Sequence, residues 1–160
     1  MRSALLENPG SLEPYREACG PLPPAVLVDL DPKGSEFDPA ASGQGSKALA
    51  EVLAVLRSRG LAIAWISGLP NDAEAAIRAR LASTGLDPQG NDRLLLRDAP
   101  ETTKQMLRRS FADFTCPIAI AGDAQEDFDE LYAYLKNPDA AFPLNEMFGA
   151  GWFLTPNPID

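Results

Sequence analysis

A few residues fall just beyond apolar runs, and their types suit the transfer of a phosphoryl group. Asp29 and Asp31 end Val26-Leu27-Val28-Asp29-Leu30-Asp31, and Ser67-Gly68 follows the run 61–66. Lys104 precedes the run 117–121, which leads into Gly122-Asp123-Ala124-Gln125-Glu126-Asp127. Singly, each has an ordinary explanation. An Asp after a strand caps a turn, Ser-Gly is itself a turn, and a helix lysine is commonly solvated. Brought together they make a different chemistry. Clustered carboxylates repel one another unless a cation joins them, and oxygen-only ligands select Mg²⁺ over zinc. A carboxylate can attack phosphorus to form an acyl phosphate. A hydroxyl, a lysine and the metal ion would then hold the outer oxygens.

These residues meet only if the chain between them folds in a particular way. Residues 25–28 form a continuous apolar run, as in a strand covered on both faces. A Gly-, Ser-, Pro- and Ala-rich loop spans 32–45. Ser46 can cap a helix carrying Leu49, Val52, Leu53 and Leu56, which Gly60 stops before a second strand at 61–66. Asn71 with Glu74 forms a capping pair for a helix through Ile77 and Leu81, closed by Gly85. Leu94-Leu95-Leu96 is a third strand. Pro100 opens a helix with Met106 and Leu107, and 117–121 is a fourth strand. Phe128, Leu131, Tyr132 and Leu135 repeat the helical spacing, and Trp152-Phe153-Leu154 is a fifth strand ended by Pro156 and Pro158. Strands alternating with helices predict an α/β fold, a doubly wound parallel sheet with its ligand site at the carboxyl ends of the strands. Residues 1–24, ending in Pro21-Leu22-Pro23-Pro24, read as an N-terminal arm, and 25–160 as a single domain.

The ordered set Val28-Asp29-Leu30-Asp31, Ile66-Ser67-Gly68, Lys104 and Gly122-Asp123-Ala-Gln-Glu-Asp127 resembles the haloacid dehalogenase (HAD)-like superfamily of phosphatases. Arg97, Arg108-Arg109 and Pro156-Asn157-Pro158 make the class B and C acid phosphatases the most similar branch. The resemblance implies a Rossmann-like core and a Mg²⁺-dependent phosphomonoesterase acting through an aspartyl phosphate. Asp29 would be the nucleophile and a metal ligand. Asp31 would protonate the leaving oxygen, activate water, and turn its carbonyl to the metal. Ser67 and Gly68 would bind the phosphoryl group and Lys104 would stabilise its charge. Asp123 would ligate Mg²⁺, and Asp127 would support the metal or Lys104.

Two residues depart from the family's pattern. After DxD it usually continues with Gly or Glu and then Thr or Val, where this chain has Pro32 and Lys33. Proline removes a backbone donor. Lys33 can turn outward, or fold in and pair with Asp29 or Asp31 in competition with the metal. The short 32–45 insertion leaves room for a minimal cap or none. The alternative function is a catalytically weakened relative that binds a phosphorylated ligand or a protein partner on the same scaffold. A phospho-accepting receiver domain also uses Asp, Ser/Thr and Lys, but its acceptor would not lie on the first strand.

Composition narrows the partners. The 160 residues carry a net charge of −9, with a sequence pI of about 4.5. That balance disfavours nucleic-acid binding and leaves a small phosphorylated substrate as the expected ligand. Without histidine, a Ser-His-Asp triad and a His-ligated zinc site are excluded. No apolar run reaches membrane-spanning length. Residues 1–9 lack a basic stretch followed by an apolar core, so the chain as it stands reads as cytoplasmic, or as periplasmic or secreted if a leader has been removed. Cys19 and Cys116 read first as two ordinary thiols. They could bridge if the strands that follow them are neighbours.

Overall fold

The computed structural model describes residues 1–160. The chain opens with an antiparallel hairpin, β1 (Arg2–Leu6) and β2 (Arg16–Ala18). The supposed arm is therefore structured, and Ala4, Leu5 and Leu6 are buried in the core. The signal was hidden because Ser3 to Leu6 are all buried, which leaves no polar alternation to mark a strand.

Five further strands follow: β3 (Pro24–Asp29), β4 (Ala62–Pro70), β5 (Arg93–Arg97), β6 (Cys116–Gly122) and β7 (Trp152–Leu154). They pair in parallel in the order β5-β4-β3-β6-β7, with β3 central. Asp29 is level with Ile66 in β4, so Ser67 and Gly68 lie just beyond it.

Alternate β3 residues face opposite layers. Val26 and Val28 join Trp65 beneath Leu53 of helix α1 (Lys47–Ser58) and Ile77 and Leu81 of α2 (Glu74–Ser83). Ala25 and Leu27 face a second core with the hairpin, Phe111 of α3 (Lys104–Phe111), Phe128 and Trp152. Phe128 stacks on Trp152 with ring centroids 5.4 Å apart, and the Trp152 indole donates to the Ala4 carbonyl at 2.8 Å. Burying each such large side chain contributes roughly 1.5–3 kcal/mol.

Ser46 caps α1 as its sequence predicts, its Oγ accepting from the Leu49 amide at 3.2 Å. Other ends differ. The Asn71–Glu74 capping pair does not form; a 3₁₀ turn, Asn71–Ala73, runs directly into α2. Pro100 does not open α3. It sits in the preceding turn, and Thr103 is the cap, accepting from the Met106 amide. The spacing of Phe128, Leu131, Tyr132 and Leu135 reports burial but no α-helix. The chain there forms 3₁₀ segments, Gln125–Asp127, Glu130–Ala133 and Pro138–Met147. Asp129 takes the Leu131 amide with its side chain, starting a new turn, and Pro138 starts another.

Cys19 and Cys116 are joined in a disulfide, with Cα atoms 5.4 Å apart, so the reading as two free thiols is corrected. The condition for bridging is met because β3 and β6 are neighbours. Between β3 and α1 the chain forms only turns, bends and one isolated bridge, Gly45 to Ile159. No cap domain covers the strand ends there.

Candidate functional site

All the acidic, hydroxyl and lysine positions singled out in the sequence lie at the carboxyl end of the sheet. Central β3 delivers Asp29, whose side chain is fully buried. The turn that follows folds back on itself, with the Asp31 amide donating to Asp29 Oδ1 at 2.9 Å. Asn157 from the C-terminal segment holds the Leu30 carbonyl between the two aspartates at 3.1 Å.

Asp31 is held on every side. Its Oδ1 accepts from the Ser67 hydroxyl at 2.6 Å and the Phe37 amide at 3.0 Å, and its Oδ2 from the Gly68 amide at 2.7 Å. Lys104, the first residue of α3, reaches across to three carboxylates. Its Nζ lies 2.9 Å from Asp29 Oδ2, 3.1 Å from Asp31 Oδ2 and 3.5 Å from Asp127 Oδ1.

Beyond β6 the turn is shaped by Asp127, whose Oδ2 accepts from the amides of Asp123 and Ala124 at 3.0 and 3.1 Å. Gly122 permits this closeness. An added Cβ would lie 2.5 Å from Asp127 Cβ and Oδ2. Asp123 Oδ2 accepts from the Lys33 amide at 3.0 Å, and its Oδ1 is buried without a hydrogen-bond partner. The Lys33 side chain is exposed and joins none of the ion pairs, so of its two alternatives the outward one is realised. Pro32 accepts at its carbonyl from the Ser35 amide at 3.0 Å, closing a turn at the rim of the site.

The two DxD carboxyls are driven apart in acidity. Burial, reinforced by Asp127 and Asp31, pushes Asp29 up to about 8 despite Lys104. Burial would also raise Asp31, but Lys104, the Ser67 hydroxyl and the Gly68 and Phe37 amides outweigh it and hold Asp31 below the ordinary carboxylate range. Burial likewise raises Asp127. For Lys104, burial is outweighed by Asp29, Asp31 and Asp127, and the ammonium is held more firmly than usual. The resting proton therefore sits on Asp29 rather than Asp31.

Arg108 was not given a role by its sequence position, although it lies one turn beyond Lys104 on α3. Its guanidinium is fully buried, donating to the Asp127 carbonyl at 3.0 Å and to Gln105 Oε1 at 2.7 Å. It thus braces the acidic turn from below. An open cleft of about 570 Å³ stands above, lined by Lys33, Ser35, Glu36, Lys104 and Glu126 among others.

No family model and no curated relative matches the chain. Solved structures do. A class C acid phosphatase from Bacillus anthracis matches with a TM-score of 0.58 at 17% identity, covering 86% of this chain and 68% of that one. The same enzyme with tungstate bound gives a TM-score of 0.55 at 16% identity, with coverage of 86% and 68%. A chain of the Pnkp1/Rnl/Hen1 RNA repair complex gives 0.53 at 20% identity, covering 76% of this chain and 43% of that one. This is a haloacid dehalogenase-like fold. At these identities the likeness is one of fold, and within the HAD-like fold it is the local geometry that has to argue the chemistry.

Proposed function

We propose that the chain is a Mg²⁺-dependent phosphomonoesterase of the acid-phosphatase type. One observation carries the reading: a single ammonium, Lys104, joins Asp29, Asp31 and Asp127 at the end of the central strand, beside the Ser67 hydroxyl. The three-dimensional likeness to class C acid phosphatases supports it.

The residues suit a divalent cation. The carboxylates do not close into a ready cage of three. Still, three acidic side chains share one lysine, every available donor is oxygen, and Asp123 Oδ1 is buried without a partner. Asp29, Asp123, Asp127 and the Asp31 carbonyl would hold Mg²⁺, which when bound offsets phosphoryl charge and favours the ionised form of Asp29.

In the proposed reaction, Lys104 swings from Asp29 to the phosphoryl oxygens and uncovers the nucleophile. The proton that Asp29 holds at rest passes to Asp31. A carboxylate oxygen of Asp29 then bonds to phosphorus as the ester P–O bond breaks, and the leaving oxygen takes that proton from Asp31. Asp31 then accepts a proton from water, whose oxygen attacks phosphorus, releasing phosphate and restoring Asp29. Ser67 has one hydroxyl hydrogen, given at rest to Asp31, while its oxygen accepts from the Leu69 amide at 3.1 Å. Turning that hydrogen to a phosphoryl oxygen removes a donor from Asp31 and favours its protonation, as a general acid requires.

The weakened, binding-only alternative drew on Lys33 competing with a metal. Its exposed ammonium, outside every ion pair of the site, removes that ground. The test is hydrolysis of a generic aryl phosphate with Mg²⁺, beside Asp29→Asn and Asp123→Asn. Turnover well above both variants is expected. Activity no higher than that of Asp29→Asn, from acidic to neutral pH, would overturn the proposal.

A further inference from the structure

The cleft above the proposed nucleophile has a chemical character of its own. No aromatic side chain lines it, and Pro32 and Ala124 are its only apolar walls. Glu36 and Glu126, from separate segments of the chain, both line it, and both are exposed. Glu36 leans over the floor, since a Cβ on Gly68 would lie 3.6 Å from its Oε1 and 3.4 Å from Asp31 Oδ2. Arg97 Nη2 lies 4.0 Å from Glu36 Oε1, so an arginine stands beside that carboxylate. Arg97 is itself anchored by its Nε to the Gly68 carbonyl.

An ionised carboxylate only accepts hydrogen bonds. Two of them lining a cleft ask for donors on whatever fills it. An alkyl group would displace their water and return nothing. A purine would find no ring to stack on. A second anionic group would meet Glu36 and Glu126 as like charges, against the one exposed ammonium of Lys33.

Resting on the phosphatase reading, we infer that the substrates are phosphate monoesters of neutral, hydroxyl-rich alcohols such as sugars and polyols, selected by Glu36 and Glu126. The leaving alcohol sits in the cleft, its hydroxyls donating to these two carboxylates.

The test compares glucose 6-phosphate, n-hexyl phosphate and adenosine 5′-monophosphate, all esters of primary alcohols and so of similar intrinsic reactivity. With Mg²⁺, kcat/KM for glucose 6-phosphate is expected to exceed the other two by at least about tenfold, the worth of one charge-assisted hydrogen bond. Glu36→Ala and Glu126→Ala should each bring the glucose-to-hexyl ratio toward one. Equal or better turnover of the hexyl or adenosine ester overturns the substrate class and leaves the phosphatase reading intact. So does a ratio that neither variant changes. Failure to hydrolyse any of the three, or an aryl phosphate, overturns both.

Discussion

Lys104 Nζ stands 2.9 Å from Asp29 Oδ2, and the Asp29 side chain has no contact with solvent. One ammonium does not fully offset that burial. The Asp29 carboxyl stays protonated up to about 8, against an ordinary 3.8. Between those values the folded chain keeps a proton that the unfolded chain has released, so stability falls as pH rises through the window. Asp31 shifts oppositely, and its contribution is lost as pH falls through its lowered value.

In chelator, the melting temperature of wild type should therefore drop from pH 5 to pH 8 relative to that of Asp29→Asn, which lacks the ionisation. Asp31 is common to both proteins and cancels to first order. Calorimetry at the two pH values reads the difference, at roughly 2–4 °C per kcal/mol for a chain of this size. A constant gap would mean that Asp29 is ionised throughout.

Lys104→Met removes the shared counter-charge of three carboxylates. At pH 9, where Asp29 is ionised in wild type, the loss should be about 3–5 kcal/mol, as for other broken buried pairs. Near pH 5 the cost should shrink, because Asp29 and Asp127, both raised by burial, then hold protons. Urea unfolding at both pH values checks the sign. On the phosphatase reading, kcat should fall at least about a hundredfold.

Gly122→Ala places a methyl group 2.5 Å from Asp127 Cβ and Oδ2. Asp127 must then leave the Asp123 and Ala124 amides, carrying Asp123 with it. A displacement near 1 Å at such a site costs about a hundredfold in rate, while overpacking costs about 1–3 kcal/mol. Steady-state kinetics beside a thermal melt should show activity falling far more than stability. Unchanged kcat would argue that the acidic turn has no part in the reaction.

The Cys19–Cys116 bond closes a separation of 97 residues. On the chain-entropy account a loop of that length contributes about 4–5 kcal/mol. Replacing both cysteines by serine should lower the melting temperature markedly, and a reductant should do the same to wild type but nothing to the variant.

What the sequence made legible was set by local patterns with one dominant cause. Continuous apolar runs at 25–28 and 117–121 became neighbouring parallel strands, and acidic residues just beyond them had nowhere to go but the sheet's carboxyl end. Ser46 declared its helix because a cap acts over three residues. The 125–147 stretch misled because apolar spacing records which residues are buried, whereas Asp129 and Pro138 decide the hydrogen bonding. The roles of Glu36, Phe37 and Arg108 depend on contacts between distant segments. The Phe37 amide on Asp31 needs the loop to double back, and Arg108 beneath Asp127 needs α3 seated under β6's turn. Neither leaves a mark in the local sequence.

The order of strands also leaves two open margins, β5 and β7. Exposed backbone along a sheet edge is a template on which another chain can grow. Here β5 begins and ends with arginine, at positions 93 and 97, while β7 is only three residues long and is followed by Pro156 and Pro158. Charge at one border and brevity with proline at the other make both poor seeds for edge-to-edge polymerisation.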